Sequence, residues 1–450
     1  MTEYPNPNEA RMTNDEARSP SFRVRVSGFG LLFGFGWFGF RHFLAALLLI
    51  GAVLPQSCLG AASIWLVHSS RSGGHRAAAN ALAAALREQP GVEPRVVCTL
   101  EHMHAVSRAV YNRGHAGLLG LGVRVRRRSF EHAFAGRAGT VRAARRGLAV
   151  KAYFSRALLR EVRRAPPVLI LSTDSQSNVM LSIWQRKGLL SAPIHCLVTD
   201  YDAHAIWVTP EIERYYVATQ HVKAALVRHG AQPDRIQVTG IATAPAFARA
   251  PHTAAPAARR ALGLAPDRPA IMMTCGSHGY GPYEQVVHAL EYELGSRAPD
   301  GKQPLLFLAL TGRNERLRRR LLRLAPSLRC VQLHVYGWVD GMHRYMDAAD
   351  IVITKPGGLT VTELLCRQRP MLFVKPANGI ERHAAAAVVT LGVADVAETP
   401  QAAARRVLGV LADPNGLQAR QQASRAAARP NAVFAIAEAL AERARTAGVQ

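Results

Sequence analysis

The stretch Ile351-Val-Ile-Thr-Lys-Pro-Gly-Gly-Leu-Thr-Val-Thr-Glu363 combines a β-branched run, a glycine turn and the start of a helical pattern. A buried parallel strand over 351–354 would deliver the turn to the carboxyl edge of a sheet, where α/β proteins bind their ligands. Gly357 and Gly358 would let backbone N–H groups approach a phosphate, and the helix N-terminus adds about half a positive charge there. Glu363, one turn into the helix, could accept two hydrogen bonds from a ribose diol. The alternative is an ordinary strand–turn–helix whose glycines serve only the turn.

A second strand–loop–helix pattern lies far upstream, where the run Ile64-Trp-Leu-Val-His-Ser-Ser70 precedes the loop Arg71-Ser-Gly-Gly-His75. The alanine-rich residues 76–87 that follow have the composition of a helix. His75 would therefore lie at a helix N-terminus above the end of the first strand, facing any cleft at that edge. A histidine placed there can act as a general base, whereas a solvated histidine without such a role is the alternative.

Short apolar runs alternate with helical stretches along most of the chain, which predicts an α/β fold with doubly wound parallel sheets. In residues 61–247 the predicted strands are Ile64–His68, Arg95–Thr99, Val168–Leu171, Ile194–Val198, Tyr215–Ala218 and Ile236–Thr239. The proline- and alanine-rich residues 248–269 are predicted to link the two domains. In residues 270–428 the predicted strands are Ala270–Thr274, Pro304–Leu310, Val331–Tyr336, Ile351–Thr354 and Met371–Val374. Residues 429–450 are predicted to form a C-terminal helix, of the kind that commonly crosses back to the first domain.

The chain is strongly basic, with 56 Lys and Arg against 31 Asp and Glu in 450 residues and a net charge of +25. From Arg113 to Arg164 there are thirteen Arg and one Lys against Glu131 and Glu161. Such an excess favours an anionic partner: nucleic acid, an anionic membrane or phosphorylated substrates. The region lacks interleaved aromatic residues and any recognised reading motif, so we expect no nucleic acid. The expected partners are therefore an anionic membrane surface and phosphorylated substrates.

The first sixty residues and the cysteines bear on the compartment. The six cysteines are scattered without a Cys-x-x-Cys pair, which indicates reduced thiols and neither a disulfide framework nor a zinc site. Residues 1–25 are polar, and Phe43–Leu54 is an unbroken apolar run. That run is shorter than the about 20 apolar residues that span a bilayer. Residues 1–60 are therefore either a membrane-associating or weakly spanning extension, or the product of a wrongly assigned start codon.

Five segments, in order along the chain, resemble a known family: Ser72-Gly-Gly-His-Arg-Ala-Ala-Ala79, Val198-Thr-Asp-Tyr-Asp-Ala-His-Ala-Ile-Trp207, Tyr215-Tyr-Val-Ala-Thr219, Val238-Thr-Gly-Ile241 and Thr354-Lys-Pro-Gly-Gly-Leu-Thr-Val-Thr-Glu363. The chain looks like monogalactosyldiacylglycerol synthase and the related processive diacylglycerol glucosyltransferases. More distantly it is similar to the lipid II N-acetylglucosaminyltransferase of cell-wall synthesis. The resemblance implies the GT-B architecture, in which two Rossmann-like domains face each other across a cleft.

The resemblance also implies which residues bind each substrate. The second domain would hold a UDP-sugar, and its expected donor-binding residues are Gly276, Ser277, Gly337, Trp338, Gly357, Gly358, Thr360, Glu363 and Glu381. Among these, Gly337 and Trp338 would lie against the base and Glu363 would bind the ribose. Gly73, Gly74 and Trp207 would lie on the acceptor side, with a core tryptophan as the alternative for Trp207. The family's donor-sugar pattern departs here at Ile380 and Ala384, so the identity of the hexose is open.

The chemistry expected of these residues is transfer with inversion. His75 would remove the proton from an acceptor hydroxyl, which attacks the anomeric carbon as the nucleoside diphosphate leaves. Asp200 would orient His75 or line the acceptor side, unless it only caps a buried strand end. The second domain has no Asp-x-Asp motif, so we expect neither a metal nor a cofactor, with the UDP-sugar as substrate.

Three classes of function compete. The first is a glycosyltransferase that acts on a diacylglycerol-like lipid, or as an N-acetylglucosaminyltransferase on an isoprenoid-linked acceptor, at the cytoplasmic side of a membrane as a peripheral or weakly anchored protein. The second is a nucleotide-sugar 2-epimerase of the same fold, against which the acid-poor first domain and the apolar N-terminus count. The third is a non-catalytic protein that binds a membrane surface, against which the presence of both His75 and Glu363 counts.

The basic stretch generates a testable prediction. Changing Arg124, Arg126, Arg127 and Arg128 to Ser should weaken binding to vesicles that contain phosphatidylglycerol, because each Arg near an anionic leaflet contributes about 1 kcal/mol. Binding measured by vesicle co-sedimentation should also fall as salt rises. UDP affinity serves as the control and should not change. Equal sedimentation of variant and wild type at low salt would mean that these arginines form a solvated face without a membrane role.

Overall fold

Two parallel sheets of six strands each form the framework of the protein. The computed structural model describes residues 61–69, 73–103, 155–297, 304–376 and 379–447. The N-terminal extension 1–60, the basic residues up to 154 (including the four arginines at 124 and 126–128), Ser72 and Asn378 lie outside these ranges. Within the described ranges no helix combines the length and the apolar character needed to cross a membrane.

The elements of the first domain alternate between strand and helix. They are β1 (Ala62–His68), α1 (Gly74–Leu86), β2 (Val92–Cys98), α2 (Arg156–Arg164), β3 (Leu169–Ser172), α3 (Ser175–Arg186), β4 (Ile194–Leu197), a 3₁₀ turn (Ala205–Trp207), β5 (Ile212–Val217), α4 (Gln220–Arg228), a second 3₁₀ turn (Pro233–Arg235) and β6 (Ile236–Val238). Two short helices, α5 (Ala246–Arg249) and α6 (Ala255–Ala261), follow in and beside the predicted linker.

The second domain repeats the alternation. Its elements are β7 (Ala270–Thr274), α7 (Tyr283–Arg297), β8 (Leu305–Leu310), α8 (Glu315–Leu324), a 3₁₀ turn (Ala325–Ser327), β9 (Val331–Tyr336), α9 (Met342–Ala348), β10 (Ile351–Thr354), α10 (Gly358–Cys366), β11 (Met371–Val374), α11 (Gly379–Val389), β12 (Ala394–Ala397) and α12 (Pro400–Leu411). The chain continues through α13 (Pro414–Ala427) and α14 (Ala432–Ala447).

The strand orders determine where a crevice opens. They are β2-β1-β3-β4-β5-β6 in the first sheet and β12-β11-β10-β7-β8-β9 in the second. The order reverses between β1 and β3 and between β7 and β10, and at such switch points the loops diverge and leave a crevice at the carboxyl edge. The loops at these crevices are those that lead to His75, to Gly276 and to Gly358, as the sequence patterns indicated.

Burial explains why these runs form strands. β7, β8, β10 and β11 are buried along their whole length, as expected for parallel strands covered by helices on both faces. Each strand predicted from the sequence has a counterpart, with ends that differ by a few residues. One strand, β12, was not predicted, because Ala394-Asp-Val-Ala397 has only one β-branched residue. The α/β prediction is confirmed.

A buried ion pair fastens the segment between the sheets to the second domain. The Arg367 guanidinium is fully buried and pairs with Asp347, with Nε 2.8 Å from Oδ1. The same guanidinium donates to the carbonyl oxygens of Ala250 (2.9 Å) and Pro251 (2.8 Å). A buried arginine that lost these partners would leave an uncompensated charge. The residues that follow α5 are therefore held against the second domain.

The last helix returns to the first sheet. α14 packs against α1, β1 and β3, and its inward face, which includes Val433, Ile436 and Leu440, is completely buried. The first domain therefore takes part of its core from the C-terminal end of the chain.

Candidate active site between the two sheets

A cavity of about 300 Å³ lies where the two domains meet. The first domain contributes residues that precede or begin α1, and the second contributes residues at the carboxyl ends of β7, β8, β9 and β10. It brings together eight of the residues predicted to bind substrates, which are Gly73, Gly74, Gly276, Ser277, Gly337, Trp338, Thr360 and Glu363. The remaining wall includes Ala77, Thr274, Leu310, Gly312, Val339, Met342, Met346 and Leu359.

The loops after β7 and β8 form one wall by packing backbone against backbone. Gly312 has φ +60°, and a Cβ on it would lie 2.5 Å from the carbonyl oxygen of Ser277. The next residue, Arg313, donates its backbone N–H to that same oxygen at 2.8 Å. Any side chain at position 312 would push the loops apart, so glycine is required. This contact fixes Gly276 and Ser277 at the cavity wall.

An exposed aromatic residue marks the rim. The Trp338 side chain is 56% exposed, and the Arg313 guanidinium lies over its ring, 4.5 Å from the ring centre. Such a cation–π pair keeps the indole in place although most of it faces water. The rim therefore offers a flat, partly cationic surface.

Glu363 is the acidic residue of the cavity wall. No described residue forms a hydrogen bond or an ion pair with its carboxyl group. The residue is half-buried and lines the cavity. Burial raises the pKa of Glu363 to about 8, since protein atoms displace the water that would solvate the charge. An unpaired carboxyl in this position is available to a ligand that brings its own hydrogen-bond donors.

His75, the second residue of α1, is held by two threonines. The Thr199 hydroxyl donates to the carbonyl oxygen of Thr173 (3.3 Å), and its oxygen lies 2.7 Å from Nδ1 of His75. Because the single hydroxyl proton is already donated, Nδ1 must carry a proton and donate to Thr199. The Thr173 hydroxyl in turn donates to the carbonyl oxygen of His75 at 3.0 Å. This network leaves Nε2 as the ring atom that can accept a proton.

Asp200 and Trp207 lie beside this histidine. Burial raises the pKa of the Asp200 carboxyl, although the neighbouring His75 favours its charged form. The Trp207 ring is buried and meets the His75 ring edge-on at 6.4 Å between centres. Its indole nitrogen makes no hydrogen bond of normal geometry among the described residues, yet lies close enough to Asp200 to favour the carboxylate. His75, Asp200 and Trp207, three of the five residues predicted for catalysis and for the acceptor side, are thus neighbours.

Three predicted donor-binding residues do not line the cavity. Gly357 is exposed, and Glu381 pairs with Lys355 at 3.9 Å. Gly358 is buried against the first domain, where an added Cβ would lie 1.9 Å from the carbonyl oxygen of Thr199. Glycine at 358 is therefore required by a close approach of two backbones. A role in donor binding stays a prediction for these residues.

Sequence reasoning missed the residues that support His75. Thr199 and Thr173 each follow a strand, and nothing in a single threonine distinguishes it as a partner of a distant histidine. Asp174 accepts hydrogen bonds from the backbone N–H groups of Ser69, Gln176 and Ser177 and from the hydroxyls of Ser69 and Ser177, at 2.7–3.0 Å. It thereby joins the end of β1 to the start of α3. The signal that could have identified Asp174 was its position as an N-cap directly after a buried strand.

No group of three metal-binding side chains occurs in the part of the chain that the structure describes. The expectation of a metal-free reaction remains untested.

Both halves of the chain match known protein families. Residues 75–243 match the monogalactosyldiacylglycerol synthase family, and residues 270–433 match the glycosyltransferase family 28 C-terminal domain. A processive diacylglycerol beta-glucosyltransferase of Staphylococcus saprophyticus is 28% identical over 291 residues, which are 64% of this chain and 71% of that protein. The enzyme of the same name from Staphylococcus haemolyticus is 30% identical over 253 residues, which are 56% of this chain and 61% of that protein.

Solved structures show the same fold at low sequence identity. MurG of Acinetobacter baumannii superposes with a TM-score of 0.53 at 15% identity, covering 84% of this chain and 99% of that one. The Staphylococcus aureus MnaA structure with UDP superposes with a TM-score of 0.52 at 16% identity, covering 83% of this chain and 94% of that one. The glycotransferase of kitacinnamycin superposes with a TM-score of 0.55 at 15% identity, covering 85% of this chain and 99% of that one.

The protein is thus a glycosyltransferase with the GT-B fold. It carries a monogalactosyldiacylglycerol synthase domain followed by a glycosyltransferase family 28 C-terminal domain, and it is a distant homologue of the processive diacylglycerol beta-glucosyltransferases. The family and the GT-B architecture predicted from the sequence are confirmed.

The hydrogen-bond network generates a prediction about His75. In protein labelled with ¹⁵N-histidine, the His75 signals at neutral pH should be those of the tautomer protonated at Nδ1, because Thr199 accepts from that atom. Thr199→Val removes the acceptor without changing the side-chain shape much, so the signals should move towards a mixture of tautomers. Thr219→Val, which removes a helix-capping hydroxyl elsewhere in the same domain, is the control. Unchanged His75 signals in Thr199→Val would show that another group sets the tautomer.

Proposed function

We propose that the protein transfers a hexose from a UDP-sugar to a diacylglycerol-like membrane lipid, with inversion at the anomeric carbon and His75 as the general base. The observation that carries this proposal is the placement of His75. Its Nδ1 is engaged by Thr199, its Nε2 is left to accept a proton, and its neighbours Gly73, Gly74 and Ala77 line the interdomain cavity. General base catalysis by such a residue contributes about 10²–10⁴-fold to the rate.

The donor is proposed to occupy the wall formed by the second domain. The uracil would lie near Gly337 and Trp338, the ribose hydroxyls would donate to Glu363, and the diphosphate would lie near Gly276, Ser277 and the first turn of α10. Leu359 and Thr360 of that turn line the cavity. The partial positive charge of a helix N-terminus would stabilise the negative charge that grows on the leaving diphosphate. We propose that no metal bridges this diphosphate, because the second domain has no Asp-x-Asp motif.

The acceptor proposal rests on the family and on the names of the relatives. The matching family is that of a diacylglycerol-modifying synthase, and the curated relatives are diacylglycerol glucosyltransferases. We further propose that the enzyme acts at the cytoplasmic face of a membrane, where its basic residues meet an anionic leaflet. The identity of the sugar is left to experiment, since Ile380 and Ala384 stand where the resembling enzymes place polar residues that contact it.

The proposed function is tested by a transfer assay. Purified protein is incubated with vesicles of phosphatidylglycerol and diacylglycerol and, in parallel, each of UDP-glucose, UDP-galactose and UDP-N-acetylglucosamine carrying a radioactive sugar. We expect label from one of them to enter the organic phase, also in the presence of EDTA. Vesicles with an isoprenoid-linked acceptor, in place of diacylglycerol, test the alternative acceptor. Label that remains water-soluble as an epimerised nucleotide-sugar would contradict the transfer reaction.

In the same assay, His75→Ala should lower turnover by about 10²-fold or more, because the general base is lost. UDP affinity, measured by calorimetry, should change little. His288→Ala, at an exposed position of α7 outside the cavity, is the matched control and should behave as the wild type. Near-normal turnover of His75→Ala would assign proton removal to another residue, with Asp200 the first to examine.

The pKa of Glu363 generates a prediction about donor binding. Ribose hydroxyls donate to the ionised carboxylate, so binding should release a proton and tighten as pH rises, levelling off once pH exceeds the pKa of about 8. Calorimetry in buffers of different ionisation enthalpy measures both effects. Glu363→Gln should abolish the proton release, and Glu363→Ala should lose about 1.5–3 kcal/mol of UDP binding at high pH. A UDP affinity of Glu363→Ala equal to that of the wild type would exclude the ribose role.

A further inference from the structure

One short segment of the first domain touches the second domain at three successive places. This interdomain loop consists of residues 199–202 and follows β4. The Thr199 carbonyl oxygen and the Asp200 Cα lie against Gly358, where a Cβ would be 1.9 Å and 3.3 Å from them. The Tyr201 hydroxyl is 3.0 Å from the Thr362 hydroxyl, and Oδ2 of Asp202 is 3.4 Å from Nδ1 of His383.

The central contact has a defined direction. The Thr362 hydroxyl donates to the carbonyl oxygen of Gly358 at 2.8 Å, so its oxygen accepts from the Tyr201 hydroxyl. Both side chains are buried, at 4% and 2% exposure, which makes an unmade hydrogen bond costly here. The outer contact at Asp202 is looser, because His383 is largely exposed and Asp202 also pairs with His221 at 3.2 Å.

The interdomain loop is also the support of His75. Thr199 contacts Gly358 through its carbonyl group and holds Nδ1 of His75 through its hydroxyl, at 2.7 Å. Asp200, the next residue, lies near enough to His75 for the ring to favour its charged form and lower its pKa, although burial raises that pKa overall. A movement of the second domain away from this loop would therefore act directly on Thr199, which holds the histidine.

The interdomain loop packs against α10, the helix that forms part of the cavity wall proposed to bind the donor. Within α10, Thr360 and Glu363 line the cavity, whereas Gly358 and Thr362 meet the interdomain loop. One rigid helix thus connects the nucleotide pocket of the second domain with the support of His75 in the first. Its position cannot change at one contact without changing at the other.

We propose that docking of α10 on the interdomain loop positions His75 for proton removal, because the loop residue that meets Gly358 also holds the imidazole. Gly358, Tyr201 and Thr362 are then positioning residues, which act on the reaction through Thr199 and His75. The inference rests on the proposed role of His75 in sugar transfer.

The test separates turnover from donor affinity in the full-length protein. Tyr201→Phe removes the hydroxyl but keeps the ring, and Gly358→Ala keeps the backbone N–H but introduces the Cβ that meets Thr199. Each should lower kcat by about ten- to a hundredfold, since a misplacement of about 1 Å at a reacting group has this order of effect. In Tyr201→Phe the Kd for UDP should change little, because Tyr201 does not line the cavity and α10 itself is unaltered.

Matched controls lie away from the interdomain loop. Tyr216→Phe removes another buried tyrosine hydroxyl of the same domain, one that contacts Nδ1 of His195 at 3.2 Å. Gly409→Ala adds a Cβ that meets nothing within 4 Å. Both should retain wild-type kcat. If Tyr201→Phe and Gly358→Ala also retained wild-type kcat, docking would have no part in positioning the base.

A second measurement tests whether the effect passes through His75. In the His75→Ala background Tyr201→Phe should cause no further loss, because residues that act as one unit are not additive. An equal fractional loss in both backgrounds would show that the contact acts independently of the histidine and would overturn the inference. In ¹⁵N-histidine spectra, Tyr201→Phe should also shift the His75 signals towards mixed tautomers without any substrate.

The two possible failures can be told apart. If His75→Ala transferred sugar at the normal rate, the proposed base would be wrong and this inference with it. If His75→Ala were inactive while Tyr201→Phe and Gly358→Ala were fully active with unchanged His75 spectra, only the proposed coupling would be wrong.

Discussion

The close approach between Gly358 and the backbone of Thr199 is the constraint on which the site depends. A hydrogen atom in place of a side chain lets two backbone segments from different domains touch, and no other residue type could occupy position 358 without moving one of them. This contact sets how near α10 comes to the loop after β4. It therefore fixes the separation between the wall that carries Glu363 and the helix that carries His75. The shape of the cavity therefore depends on glycine, which has no Cβ atom, at position 358.

The fold could be predicted because its signals are local and repeated. Buried parallel strands are short, apolar and bounded by turns, and this pattern occurs at all the predicted strands of both sheets. β12 was missed because it lies at the edge of its sheet, where Ala394-Asp-Val-Ala397 needs less apolar character than a central strand. The segment predicted as the linker, residues 248–269, contains α6 and is fixed by Arg367. That contact joins residues more than a hundred positions apart, which no local pattern reveals.

The site was predictable to the extent that glycines and titratable residues stand at strand ends. Loops after β1, β7, β9 and β10 were identified in this way, and their residues meet at one cavity. The role of Gly358 was not predicted. A glycine that lets a phosphate approach the backbone and a glycine that lets a neighbouring backbone approach look the same in a sequence. Thr199 was also missed, because its significance comes from a hydrogen bond to a residue 124 positions away. Long-range pairing of common residues is what the sequence does not reveal.

The return of α14 to the first sheet has a consequence for how the chain is made. Val433, Ile436, Ala437, Leu440, Ala441 and Ala444 are all buried, and α14 packs on α1 and β1. During translation the first domain leaves the ribosome long before α14 does. Until α14 emerges, the apolar surface of the first domain on which it packs is exposed to water. Domains generally fold in order of synthesis, and exposed apolar surface in such intermediates promotes aggregation. The core of the first domain is therefore completed only after residues 432–447 have been made, so segments from both ends of the described chain fold together.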